Sequence, residues 1–240
     1  MAPDRDLAAG DRQRAMNLAS AAPAARVRRV LVINPNTNPL VTARVREVCQ
    51  RYDGPQLHFE VINPESGPFS IVSDEDKQQA EVNALALIRQ HLPQHHDAYV
   101  LACFDDLALQ AARHMVLVPV IGCCEAGIAA ARAVSPALAI VTTVAAALPG
   151  IRAMMRRYGA GDLASVRAAG VGVDEAARSA PDAHARLMRA VEASVQEDGA
   201  RVVLLASGGL TGQAERIGRE AGVPVIDAVE AALRRAGGMS

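Results

Sequence analysis

The 240-residue chain has no tryptophan and only three tyrosines and three phenylalanines, so it is poor in the rings on which single-stranded nucleic acids stack. Charge does not make up for this. Its 25 basic and 26 acidic side chains leave a formal charge of −1, without the basic excess of a nucleic-acid binder. No nucleic-acid partner is expected. Lysine is nearly absent: the only one is Lys77, in the acidic run Ser73-Asp74-Glu75-Asp76-Lys77, which reads as exposed. A pyridoxal enzyme needs a Schiff-base lysine in its pocket, and a phosphate-binding P-loop needs a lysine after its glycines. Both chemistries are therefore unexpected.

The four cysteines, Cys49, Cys103, Cys123 and Cys124, form no CxxC pair and no Cys/His cluster at zinc spacing, so no metal site is expected. The first residues are charged and lack the apolar core of roughly 7–15 residues that marks a secretory leader. A cytoplasmic protein with reduced cysteines is the expectation. One charge-free stretch, residues 133–151, approaches the length of a membrane span. Pro136, Thr142, Thr143, Pro149 and Gly150 break it into turn, strand and helix start, so it reads as buried core and no membrane partner is expected.

Half the residues are hydrophobic and 21% are charged, enough to build one large core or two smaller ones. Residues 1–26, rich in Ala, Arg and Asp, show no sustained periodicity and read as a flexible extension. Beyond them, short apolar runs alternate with amphipathic segments. The runs are Val30–Ile33, Leu57–Ile62, Ala98–Ala102, Val118–Ile121, Leu138–Thr142, Ser165–Val171, Val202–Ala206 and Val223–Ile226. Each is the length of a buried strand. Between them lie helix-period segments such as 182–198, where Leu187, Val191 and Val195 share a stripe before Gly199. This alternation predicts an α/β fold of parallel sheets.

An internal repeat sharpens that reading. Val118-Pro-Val-Ile121 with Glu125-Ala126 returns as Val223-Pro-Val-Ile226 with Glu230-Ala231, 105 residues on. Leu101-Ala-Cys103 returns as Leu205-Ala-Ser207, 104 residues on, and Leu31-Val-Ile-Asn34 matches Leu138-Ala-Ile-Val141 at 107. Two similar α/β halves related by a pseudo-twofold axis follow, the first made of residues 27–121 with 222–240 and the second of 122–221.

In parallel sheets ligands bind beyond the carboxyl ends of strands. Small polar or nucleophilic groups fall there at Asn34, Asn36, Thr37, Cys103, Thr142, Thr143 and Ser207-Gly208-Gly209. If the halves face one another, Cys103 and Ser207 approach one ligand from opposite sides, an arrangement suited to moving a proton between the faces of a carbon. A helix over 106–115 would place its N-terminal amides near Cys103 and favour the thiolate. The plainer reading of Cys103 is a buried, inert thiol. Packing accounts for Cys49, Cys123 and Cys124, and a solvated loop or sheet edge for His58, His95 and His96. Asp105, Asp106 and Glu125 lie near the cleft, where helix capping accounts for them equally well. Ser207 lacks the glycine two residues before it that a hydrolase nucleophile elbow requires, since Leu205 stands there.

The ordered set Ile33-Asn-Pro-Asn-Thr37, Ala102-Cys-Phe-Asp-Asp106, Val118-Pro-Val-Ile-Gly122, Ile140-Val-Thr-Thr143 and Val223-Pro-Val-Ile-Asp227 resembles the aspartate/glutamate/hydantoin racemase superfamily, closest to its hydantoin and allantoin branch. The resemblance runs from about Val30 to Ala236. It implies a duplicated α/β fold, a homo-oligomer, and cofactor-independent racemisation in which one thiol removes a proton and a second returns one on the other face. The first thiol corresponds to Cys103. The second falls on Ser207, where the family pattern has cysteine. The resemblance also implies that Asn34, Asn36, Thr37, Phe104, Thr142, Thr143 and Gly208 hold a small-molecule substrate. After the Thr-Thr pair, where relatives are often charged, this chain has Val144-Ala-Ala-Ala147, which implies a less polar pocket. Malonate decarboxylases and a maleate cis–trans isomerase resemble the same scaffold. A lyase or isomerase of small dicarboxylates, and a ligand-binding protein without catalysis, are therefore the alternatives.

Overall fold

The computed structural model describes residues 26–161 and 164–239. The expected flexible extension, residues 1–26, lies outside the described residues but for its last residue. Eight strands form where the apolar runs lie: β1 (Arg28–Ile33), β2 (Leu57–Ile62), β3 (Ala98–Leu101), β4 (Val120–Gly122), β5 (Leu138–Thr142), β6 (Ala164–Ala168), β7 (Val202–Leu205) and β8 (Val225–Asp227). They build two four-stranded sheets of order β2-β1-β3-β4 and β6-β5-β7-β8. Every pairing within them is parallel. The central strands are buried on both faces, which is why they read as unbroken Val/Ile/Leu runs. The two sheets have the same order four strands apart, so the halves are pseudo-symmetric.

The helices are α1 (Pro39–Gln50), α2 (Asp74–His91), α3 (Leu109–Met115), α4 (Cys123–Val134), α5 (Leu148–Arg157), α6 (Val173–Ala177), α7 (Pro181–Gln196), α8 (Ala214–Ala221) and α9 (Ala228–Gly237). Two of them are exchanged between the halves. Helix α4 leaves the first sheet and packs on β7 and β8 of the second, while α9 leaves the second and packs on β1, β3 and β4 of the first. The two helices also pack on one another. Gly127 permits the contact: a Cβ there would lie 2.8 Å from Leu204 Cδ1 and 3.2 Å from the Ala228 Cβ. One core therefore spans both sheets, joining Val100, Ile121 and Ile128 to Leu204, Val229 and Leu233. The boundary expected at residue 222 shifts accordingly. Strand β8 pairs with β7 and stays with the second sheet, and α9 alone crosses back.

Each exchanged helix begins on a carboxylate, half-buried in one case and buried in the other, and the halves supply it from different positions. Asp106, in the loop after β3, accepts from the N–H of Cys124 (2.9 Å) and Glu125 (3.0 Å) at the start of α4, and from the Tyr158 hydroxyl at 2.6 Å. Its side chain fills the space beside Gly122, where a Cβ would lie 2.4 Å from Asp106 Oδ1. In the second half the residue at the end of the strand is Asp227. It accepts from Val229 (2.9 Å) and Glu230 (3.2 Å) at the start of α9, and from the Gly212 N–H at 2.6 Å. Asp106 and Gly212 both hold left-handed backbone, with φ of 49° and 83°. An Asp/Gly pair in one half is thus a Gly/Asp pair in the other.

Three expectations change. The helix expected from Asp106 starts at Leu109, because Asp106 and Ala108 are both left-handed. His96 is buried rather than solvated, its Nε2 lying 3.0 Å from Glu60 Oε2. The charge-free stretch 133–151 is buried over β5, but Ala133, Val134, Pro136, Ala145, Ala146 and Pro149 are exposed. Among the described residues no helix is long and apolar enough to cross a membrane.

Burial pushes the Asp227 carboxyl from its ordinary 3.8 up to about 6. The folded chain then holds this proton more tightly than the unfolded chain does. The associated stability is full below about pH 4 and is lost as the pH rises through 6. We expect the Asp227 contribution to fall by on the order of 3 kcal/mol across that window. Denaturant unfolding from pH 4 to 7 should show Asp227→Asn, which cannot titrate, with a flatter stability curve than the parent chain.

Candidate active site

The carboxyl ends of β3, β5 and β7 open into one cleft, with about 60 Å³ of room, between the two sheets. Cys103 and Ser207 each stand two residues beyond the end of their strand, β3 and β7, and both line this cleft. They come from opposite halves. Thr142, Thr143, Phe104, Gly208 and Asn36 line it as well, so seven of the nine residues singled out in the sequence meet there.

The other two support the cleft without lining it. Asn34 is fully buried; its Nδ2 donates to Asn36 Oδ1 (3.0 Å) and to Thr42 Oγ1 (2.9 Å). It opens a ladder in which each asparagine side chain accepts from the amide two residues on: Asn36 N to Asn34 Oδ1, Asn38 N to Asn36 Oδ1, and Leu40 N to Asn38 Oδ1. Such local turns explain an Asn-x-Asn-x-Asn run before a helix with proline at its first position. Thr37 binds the Pro68 carbonyl through its N–H (3.0 Å) and its hydroxyl (3.3 Å). This tie anchors the loop that carries Ile71 to the rim.

The Ser207 hydroxyl accepts from Thr143 Oγ1 and from the Gly209 N–H, both at 3.3 Å, so its own proton is left to be donated. Thr142 is committed to the Ala206 carbonyl at 2.9 Å and holds β5 against the loop after β7. The main-chain N–H groups of Phe104 and Gly208, next after Cys103 and Ser207, find no acceptor among the described residues. The Val173 carbonyl lies so near Gly209 that a Cβ there would be 2.3 Å from it.

Cys103 differs from the activated thiol expected above. Burial pushes its thiol up, the Asp105 and Asp106 carboxylates push in the same direction, and the Asp105 N–H and the Lys77 ammonium oppose them. No helix N-terminus offsets this, because α3 begins six residues later. These surroundings favour the neutral form of the Cys103 thiol. The other three cysteines are buried packing residues: burial pushes Cys49 up to about 12, and the Cys123 thiol donates to the Leu101 carbonyl at 3.1 Å.

Sequence reasoning missed Ile71 and Val173 as lining residues. Ile71 and Val173 come from loops whose course no local pattern reveals. Of the two roles left open for the neighbouring acids, Asp105 lines the cleft and Asp106 caps the helix. Val144 and Ala147 line one wall, as the apolar departure after the Thr-Thr pair implied. Among the described residues no group of three or more His, Cys, Asp or Glu side chains is placed to hold a metal.

The comparisons with known proteins agree with this architecture. A family model described as Asp/Glu/Hydantoin racemase matches residues 30–236. A hydantoin racemase of Rhizobium meliloti is 35% identical over 206 residues, covering 85% of this chain and 86% of that protein. A hydantoin racemase of Paenarthrobacter aurescens is 34% identical over 211 residues, covering 86% and 88%. Among solved structures, an allantoin racemase from Klebsiella pneumoniae matches with a TM-score of 0.84 at 31% identity, over 88% of this chain and 86% of that one.

Cys103 is half-buried and lines the cleft, whereas the other three cysteines are buried. Iodoacetamide should therefore label it ahead of Cys49, Cys123 and Cys124, as peptide mass spectrometry of the folded protein would record; even labelling of all four would remove its assignment to an open cleft.

Proposed function

This chain belongs to the Asp/Glu/hydantoin racemase family, and from that premise we propose that Cys103 and Ser207 act on opposite faces of one substrate carbon. The chain is a cofactor-independent racemase of the hydantoin and allantoin type, and its substrate is a small molecule. The observation that carries the residue assignment is the placement of Cys103 and Ser207 at equivalent strand ends of the two halves, lining one cleft.

In this reading the stereogenic carbon of a 5-substituted hydantoin, or a related cyclic ureide, lies between thiol and hydroxyl. Removing its proton moves negative charge onto the neighbouring carbonyl oxygen. The free amides of Phe104 and Gly208, with the Asn36 side chain, are the donors for the ring carbonyls, and fixed donors aimed at developing charge are an effective way to lower such a barrier. Thr143 positions the Ser207 hydroxyl. Cys103, as thiolate, takes the proton from the enantiomer that presents it on that side, and the neutral thiol returns it. Ser207 donates or relays a proton on the other face. A hydroxyl is far less acidic than a thiol of pKa about 8.5, so Ser207 is a poor base and the two directions of exchange are unequal.

A dicarboxylate substrate is disfavoured because among the described residues no arginine lines the cleft, and its one lining carboxyl, Asp105, would repel it when ionised. The family resemblance further supports a homo-oligomer, which sedimentation would measure. The free cysteines suit the reducing cytoplasm.

Cys103→Ala should abolish hydrogen exchange at the substrate carbon in deuterated water while leaving ligand binding largely intact; near-full activity in that variant would sink the assignment. Initial rates of exchange and inversion, measured separately for each enantiomer of a hydantoin panel that includes allantoin, should differ between enantiomers in the parent chain. Ser207→Cys should raise inversion relative to exchange, by up to the roughly 10²–10⁴-fold a placed acid–base group supplies, and bring the enantiomers closer together. If inversion is no faster in that variant, Ser207 does not hold the second position.

A further inference from the structure

The chain's one lysine lies behind the cleft wall, half-buried rather than in the open solvent expected of its acidic run. Lys77 is the fourth residue of α2, and its Nζ lies 3.7 Å from Asp105 Oδ1, with both side chains largely withdrawn from water. On its other side stands α5 of the second half: a Cβ at Gly150 would lie 3.4 Å from the same Nζ. The ammonium thus sits where the loop after β3 meets the second half, beside Asp105, the one carboxyl among the described residues that line the cleft.

The groups facing Cys103 make this position consequential. From its own loop come Asp105 and Asp106, both anionic when ionised; from α4 come the buried, neutral thiols of Cys123 and Cys124. Across the cleft stand the uncharged Thr143 and Ser207. Glu81, one turn along α2 from Lys77, is bound to the Ala108 N–H at 3.2 Å, and Asp76 is held in the capping box of that helix. Lys77 is the cation of this group, and its contact is with Asp105, two residues from the thiol.

We propose that Lys77 is a positioning residue for Cys103: it masks the Asp105 carboxylate and supplies the positive charge that lets the cleft thiol ionise. The proposal rests on the acid–base role given to Cys103, but its test reads the thiol directly and needs no turnover. No bond is made or broken at Lys77. An opposite charge near an ionisable group favours its charged form, and the effect is strongest where water is excluded.

Below the midpoint of a thiol, its alkylation rate follows the thiolate fraction. Iodoacetamide labelling of Cys103 in the folded chain, followed by peptide mass spectrometry from about pH 6 to 10, therefore reports ionisation. Lys77→Met should lower the Cys103 rate by about tenfold at each pH, displacing the profile without changing its slope. Lys77→Arg should restore most of it. Asp105→Asn should raise the rate above the parent chain, an arm that does not depend on Lys77→Met folding. Cys49 serves as the internal reference because its burial owes nothing to the cleft. A Lys77→Met profile that coincides with the parent profile would overturn the proposal. So would equal changes at Cys49 and Cys103, which would mark general loosening, or an Asp105→Asn rate below that of the parent chain. If the profiles move as stated while no hydantoin is racemised, the charge relation stands and the reaction assigned to the cleft falls.

Discussion

Each sheet borrows its inner helix from the other half, and the cleft depends on that exchange. A four-stranded parallel sheet must cover both faces, and here the face turned toward the other half is covered by a helix that the other half sends. Because α4 and α9 also pack against one another, the apolar residues between the sheets form one core. The halves cannot part without exposing it. The carboxyl ends of β3 and β7 are thereby held toward one another, and two residues 104 positions apart in sequence face a common space. The site is a product of packing between halves, and neither half contains it alone.

Much of this was readable from the chain. Buried parallel strands need continuous apolar runs, so the central strands appeared as such. The edge strands β2 and β6 carry His58, Glu60, Ser165 and Arg167 within shorter apolar patterns. The 105-residue repeat was visible because equivalent strands and turns meet equivalent surroundings. What escaped had physical reasons. The asparagines of the loop after β1 look alike in sequence, yet only Asn36 lines the cleft while Asn34 is used up in holding it. Lys77 sits among acids and reads as solvated, whereas its reach across a loop depends on tertiary placement. Asp105 and Asp106 are neighbours with opposite fates. The left-handed backbone at Asp106 turns one carboxylate onto a helix start and leaves the other in the cleft.

The cleft is built on contrast. Its walls, Ile71, Val144, Ala147 and Val173, are apolar, while its ends carry a thiol, a hydroxyl and unpaired amides. Such surroundings favour neutral partners and penalise isolated charge, which agrees with the upward push on the Cys103 thiol. They also suit a flat, uncharged ring with carbonyl oxygens at its edge.

The mirrored Asp106/Gly122 and Gly212/Asp227 pairs bear on how the two halves diverged. Both arrangements put a carboxylate at the same point of the fold, yet no single substitution converts one into the other. Placing aspartate at residue 122 beside Asp106 crowds two anions into a space already filled, since even a Cβ there lies 2.4 Å from the existing carboxylate. Removing Asp106 first leaves the amides of Cys124 and Glu125 without their acceptor. Either route passes through an impaired intermediate, so the sites are epistatically locked. Descendants of one repeat unit can keep the same geometry indefinitely while their sequences are barred from drifting back together at these positions.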